Sequence, residues 1–186
     1  MIRIAFVSPL LLTAALGMLR PSAPVVRPGT SAAVAPAPPF HPHFPKTVEC
    51  KVAKDLTLTL RYQTVTFDRA GAAAMAAGAA WHLAGAEFET DGDLVVGGCK
   101  VAKGRYALNA RKTTSGWELV LHSGKRFSTK FGDDAHILAT TLDPKAPLFE
   151  HLCIDVQPSG DKKNTTLYLE VRFDQLLART LIELPR

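Results

Sequence analysis

A two-residue period constrains this chain most. Leu56, Leu58, Leu60 and Tyr62 alternate with Thr57, Thr59, Arg61 and Gln63, which gives a strand one apolar and one polar face. The run is expected to continue to Phe67. Further β-prone runs cover 47–53, 86–96, 104–112, 117–122, 135–142, 149–157, 164–173 and 177–184. Turn signals separate them, among them Gly97-Gly98, Gly104, Ser115-Gly116, Ser123-Gly124, Asp143-Pro144 and Pro158-Ser159-Gly160-Asp161. One short helical crossover is expected over 69–79, capped by Asp68 and weakened by Gly71 and Gly78.

About nine strands with almost no amphipathic helix predict an all-β fold, a two-sheet antiparallel sandwich, with a barrel as the alternative. The alternation also names a core: Leu152, Ile154 and Val156; Leu167, Leu169 and Val171; Leu119 and Leu121. There is no internal repeat.

The head of the chain follows another logic. Arg3 precedes an apolar stretch from Ile4 to Leu19, broken only by Ser8, Pro9, Thr13 and Gly17, and Arg20-Pro21 ends it. A membrane-spanning helix needs about 20 apolar residues. The shorter stretch with its internal proline predicts an export signal over 1–20, with cleavage expected after Ala15-Leu16-Gly17. Ala33-Val34-Ala35 has the right small residues, but Pro36 follows it. Eight of the 25 residues from Pro21 to Pro45 are proline, so 21–46 reads as an extended Pro/Ala-rich linker and 47–186 as one β-sandwich domain. His41 and His43 in that linker offer two imidazoles, short of a closed metal site. The chain is therefore expected to be exported, periplasmic or extracellular, and to meet a membrane only through an uncleaved signal.

The net charge of +5 invites a nucleic-acid reading, so its location matters. Arg3, Arg20, Arg27 and Lys46 lie ahead of Glu49, the first acid; removing these four from 22 basic residues leaves 18 against 17 acids. A near-neutral domain without a basic patch cannot neutralise many phosphates at once, so no nucleic acid is expected as a partner. Cys50, Cys99 and Cys153 permit one disulfide in three alternative pairings. Their wide spacing matches no metal motif.

A set of motifs in order adds a resemblance. Trp81 and Gly85 precede a strand, followed by Gly97-Gly98, then Ala102-Lys103-Gly104-Arg105-Tyr106-Ala107-Leu108, then Gly116-Trp117-Glu118-Leu119-Val120-Leu121. Two closing strands follow, Glu150 to Val156 and Thr166 to Val171. Over roughly residues 55 to 184 the chain resembles a family of exported bacterial β-sandwich proteins known only as a domain of unknown function. Its pattern is Trp then Gly-Ala, a Gly before a tight hairpin, small-x-Gly-x-Tyr-x-Leu, and a Trp-centred strand. In that family Arg often follows the Trp, with Gly-Ala-Asn shortly beyond. This chain has His82, then Gly85-Ala86-Glu87, with one extra residue. In the motifs, Gly104 is expected to permit a close turn, while Tyr106 and Leu108, and Trp117, Leu119 and Leu121, share core-facing sides.

Motifs for chemistry are sparse. None of Ser115, Ser123, Ser128 and Ser159 sits in a nucleophile elbow. No glycine loop ends in Gly-Lys-Ser or Gly-Lys-Thr, and no cofactor is expected. Glu87, Glu89, Asp91 and Asp93 alternate about 7 Å apart along one strand; they read as a solvated edge face with a hard-cation site as the alternative. His151, Cys153 and Asp155 share a strand side that could meet His122 or His136, a Cys-His arrangement for nucleophilic catalysis.

Three functions compete. A non-catalytic envelope module would bind a small ligand, a glycan or an envelope protein, with Trp81, His82 and Glu87 as the candidate binding residues. An exported hydrolase would assemble its site around the same three residues. An assembly component would dock a neighbour through the Pro-rich arm.

Overall fold

The computed structural model describes residues 43–161 and 165–185. The export signal, most of the linker and His41 lie outside the described residues.

The chain forms the expected all-β sandwich. In chain order the elements are β1 (Pro45–Ala53), β2 (Leu56–Gln63), α1 (Arg69–Ala74), β3 (Ala80–Thr90), β4 (Leu94–Val96), β5 (Cys99–Val101), β6 (Gly104–Lys112) and β7 (Trp117–His122). There follow β8 (His136–Leu138), β9 (Thr141–Asp143), β10 (Phe149–Pro158), β11 (Thr166–Asp174) and β12 (Leu176–Glu183). One sheet has the order β1-β2-β3-β6-β7-β8, the other β10-β11-β12-β4-β5 with β9 also on β12. Every strand pair is antiparallel. Among the described residues no helix is long and apolar enough to cross a membrane.

The expected core is in place. Leu108, Leu119, Leu121, Ile154, Leu169 and Val171 are fully enclosed, with Leu58, Leu60, Tyr62 and Leu152 nearly so. Each such aliphatic side chain contributes about 1.5–3 kcal/mol on leaving water. Leu167 and Tyr106 pack against this core only partly buried.

The strands number twelve rather than about nine among the described residues, because two expected runs split and β5 forms outside any expected run, while a third run ends early. The run over 86–96 turns at Asp91–Asp93, where the Thr90 hydroxyl donates to Gly92 O at 2.7 Å, and β4 emerges in the other sheet. The run over 135–142 splits at Ala139–Thr140: β8 stays beside β7 while β9 pairs with β12. Polar bonds hold that corner, with Thr180 donating to Ala139 O and Thr140 to Leu138 O, both at 2.8 Å. The run expected to reach Phe67 ends at Gln63, and Val65 and Thr66 pair instead with β10. Helix α1 follows Asp68 as expected, the carboxylate accepting from Gly71 N at 2.9 Å. It stops at Ala74 because Met75 turns extended at φ −63°, ψ 133°. It links β2 to β3, neighbours in one sheet; the excursion to the second sheet belongs to Val65 and Thr66.

Gly97 and Gly98, at φ +55° and +80°, close the two-residue hairpin β4–β5, the left-handed pair that matches strand twist. A Cβ on Gly97 would lie 2.8 Å from Ala139 N in the sheet-switching corner. Gly104 has no such need: a Cβ there would sit 3.6 Å from the Tyr106 ring, an ordinary contact, so the expected close turn does not depend on glycine. Gly97→Ala is therefore expected to cost about 1–3 kcal/mol, while Gly104→Ala stays within about 0.5 kcal/mol. Urea unfolding of the two variants checks the contrast; equal losses would contradict it.

Candidate functional site

The residues expected to form one site are divided between two faces by a bulge in β3. Trp81 pairs with Ala110 and Ala86 with Leu108, so His82, Leu83, Ala84 and Gly85 stand opposite the single residue Asn109. The spacing from Trp81 to Ala86 is odd, and in a regular strand they would face opposite ways. Three extra residues restore the parity, and Trp81 turns to the inner face beside Ala86. Leu83, Ala84 and Gly85 absorb the detour at φ +46°, +56° and +67°.

His82 and Glu87 fall on the other side, under the loop between β7 and β8. Phe127 stacks edge-on against the His82 ring at 5.3 Å, and Gly85 N donates to His82 Nδ1 at 3.2 Å. Arg126 donates from Nε to Gly85 O at 2.5 Å and reaches Glu87 at 3.9 Å. These bonds brace the bulge. They do not bring His82 and Glu87 together with Trp81.

Trp81 instead belongs to a cluster of four aromatic rings at the end of the sandwich where β2 exits and β3 begins. Its ring centroid lies 5.7 Å from Phe67, 5.2 Å from Phe173 and 6.5 Å from Trp117. Phe173, from the second sheet, sits 4.9 Å from Phe67 and 5.9 Å from Trp117, so the rings join the sheets in tilted and edge-to-face contacts. Beside them opens a cavity of about 250 Å³ lined by Val65, Phe67, Gly71, Met75, Trp81 and Trp117.

Helix α1 roofs this cavity without burying any residue of its own. Asp68 caps it, and it is attached by an ion pair between Arg69 and Asp174, by Lys112 Nζ donating to Ala72 O at 3.3 Å, and by the partly buried Ala72 side chain packing on the core. The Lys112 ammonium also lies 4.8 Å above the Trp117 ring. Sequence reasoning found Trp81 but missed Phe67, Phe173 and the roof. The usable signal was an aromatic at the end of each of three strands, which become neighbours only once the topology is known.

The other constellations resolve into pairs. Glu89 accepts from Arg61 and lies 3.3 Å from Arg105, Asp91 accepts from Thr57 N at 2.7 Å, and Asp93 from Lys103 N at 2.9 Å. The acidic row thus has its own cationic and backbone partners. All three cysteines are free thiols, on β1, β5 and β10, so the disulfide the sequence permitted is not formed. Burial, with Asp155 nearby, pushes the Cys50 thiol up, which keeps it protonated and weakly nucleophilic. Cys153 lies 3.9 Å from the Tyr62 hydroxyl. His151 and Cys153 are on β10, whereas His122 is on β7 and His136 on β8 in the other sheet, so the suspected Cys-His arrangement does not assemble.

His122 is nonetheless buried, at 1% exposure, against Phe131. Its Nδ1 accepts from Gly124 N at 3.1 Å, which leaves the proton of the neutral ring on Nε2, enclosed without a partner among the described residues. A general base needs an open lone pair, and here it is occupied. Burial lowers the His122 pKa, opposed by the Asp134 carboxylate.

Comparison of the chain with protein-family models, with curated proteins and with solved structures finds no match.

Because the folded pKa of His122 lies below the unfolded value of 6.5, the unfolded chain takes up the proton first as pH falls. Its stabilising contribution is complete above pH 6.5 and is lost as pH falls from there through the folded pKa. Unfolding free energy measured against pH is expected to show this decline, and His122→Gln is expected to flatten it.

Proposed function

We infer that the chain is an exported, periplasmic or extracellular envelope protein whose β-sandwich binds a small, neutral, aromatic or aliphatic ligand without catalysis. The observation that carries this reading is the cavity at Trp81. Three aromatic rings, Phe67, Trp81 and Trp117, line it, with Phe173 of the second sheet packed behind them, and its roof is a six-residue helix held by polar bonds and the partly buried Ala72. A core built only for stability fills such a space, since a void forfeits dispersion contacts on every wall. Apolar concavity with a few polar groups at the rim is the general form of a small-molecule site.

The surroundings favour a neutral ligand. Lys112 is already engaged with Ala72 O and the Trp117 face, and Asp68 with its own helix, so neither charge is free to select an ion. The signal at 1–20 and the linker over 21–46 support the export part of the reading, as does the resemblance to the exported β-sandwich family. In this reading His82 and Glu87 brace the bulge that aims Trp81, and do not touch ligand.

Trp81 and Trp117 are the only two tryptophans in the chain, so their emission reports on the cavity directly. Naphthalene is expected to change that emission saturably. Ala72→Phe, which projects a ring from the roof into the space, is expected to weaken binding about tenfold or more. Emission that ignores naphthalene, or a variant that binds as well as the parent protein, would overturn the reading.

A further inference from the structure

A second cavity lies on the outer face of the other sheet. It has a volume of about 270 Å³ and is walled by Lys145, Ala146, Phe149, Arg172, Leu177 and Arg179. Three of these six carry positive charge, and the other three form an apolar wall. The registers explain the assembly: Arg172 stands opposite Leu177, and Glu170 opposite Arg179, while Asp143 and Thr141 of β9 extend the same two rows.

The cations are held in place. Glu170 is buried to 2% exposure between the guanidiniums. Its Oε1 accepts from Arg179 Nε at 2.6 Å, and its Oε2 from Arg172 Nε at 3.0 Å and from Arg172 Nη2. Each guanidinium also lies over a ring, Arg172 at 5.4 Å from Phe149 and Arg179 at 5.6 Å from Tyr168. Carboxylate edge and aromatic face together fix both planes. Among the described residues the terminal nitrogens of Arg179 have no hydrogen-bond partner, and its side chain is 43% exposed.

Arg179 meets Glu170 through Nε alone. This second guanidinium, locked with its outer nitrogens directed away from Glu170, leaves donors for another acceptor. Lys145 adds a third cation, and Asp143 subtracts one, its Oδ1 accepting from Lys145 N at 2.9 Å. Three positive charges against Glu170 and Asp143 leave one in excess, which matches a single negative charge. We propose that the cavity between β9, β11 and β12 is a binding site for a small apolar monocarboxylate, its carboxylate on Arg179 and Lys145 and its apolar body against Phe149, Leu177 and Ala146. The site is separate from the Trp81 cavity, on the opposite face of β11.

Benzoate is the probe, titrated into the purified protein by calorimetry and by the arginine side-chain Nε–H signals, with benzyl alcohol as its neutral counterpart. One saturable site that shifts Arg179 Nε and excludes benzyl alcohol is expected. Arg179→Gln is expected to weaken it about tenfold, the loss of one charge-assisted bond. Because that change also loosens Glu170, the exposed Lys145 carries the second test: Lys145→Ala, with no buried partner to disturb, is expected to weaken binding about threefold. Equal binding of benzyl alcohol, unaltered affinity in both variants, or tighter binding of inorganic phosphate than of benzoate would overturn the proposal. So would benzoate binding that appears only in tryptophan emission, which would place it in the Trp81 cavity instead.

Discussion

The geometry of this sandwich turns on four residues of β3. His82 to Gly85 oppose Asn109 alone, and without the three surplus positions Trp81 would face outward. The left-handed conformation disfavours L-residues by roughly 1–2 kcal/mol each, and Leu83 and Ala84 both adopt it. Several interactions offset that cost. The Leu83 side chain is fully buried, Arg126 Nε bonds Gly85 O, and His82 accepts from Gly85 N. On the facing strand, Asn109 Nδ2 donates to Ser128 O at 2.7 Å, fixing the covering loop against the same spot. Gly85 admits that cover, since a Cβ there would collide with the Phe127 ring.

This device explains what could be read from the residues and what could not. β-prone runs between turn signals located β6, β7, β10 and β11 to within two residues, although β6 and β7 are buried on both faces and only β10 keeps a clean period of two. The pattern failed on β3, where His82-Leu83-Ala84-Gly85-Ala86 has no alternation, so the strand was expected to start at 86 rather than Ala80. It failed again at Ala139–Thr140, where one run serves two sheets: pattern reports which side chains are buried, not which sheet buries them. The pattern also did not show how Trp81, His82 and Glu87 would face, for the same reason as the strand start. Their proximity in sequence was real, and the bulge's parity sent them to opposite faces.

Charge was legible in total and not in place. The excess lies ahead of Glu49 in the chain, and the near-neutral domain arranges its ions as local sets on the outer faces. Exposed pairs such as Arg105 with Glu89 contribute at most about 1 kcal/mol. Glu170 differs because it is buried. Burial alone would raise its pKa, but the hydrogen bonds from Arg172 and Arg179 outweigh that and hold the carboxyl below the usual range. Removing either arginine would leave a buried charge short of a partner, the costly case for buried ions.

Strand β11 shows how these parts are mechanically joined. Arg172 and Phe173 are consecutive, so one projects to the outer ion cluster and the other into the aromatic cluster. The next residue, Asp174, takes φ +52° in the tight connection to β12 and holds Arg69 at the first turn of α1. The roof of the Trp81 cavity is therefore tethered to the strand that carries both clusters. Its other tether, Lys112, ends β6. Since α1 contributes only the partly buried Ala72 to the core, these tethers help set how closely it sits over the rings. Opening the cavity requires breaking exposed polar bonds and only the partial packing of Ala72 and Met75 on the core, a lower-energy route for a ligand than parting the two sheets.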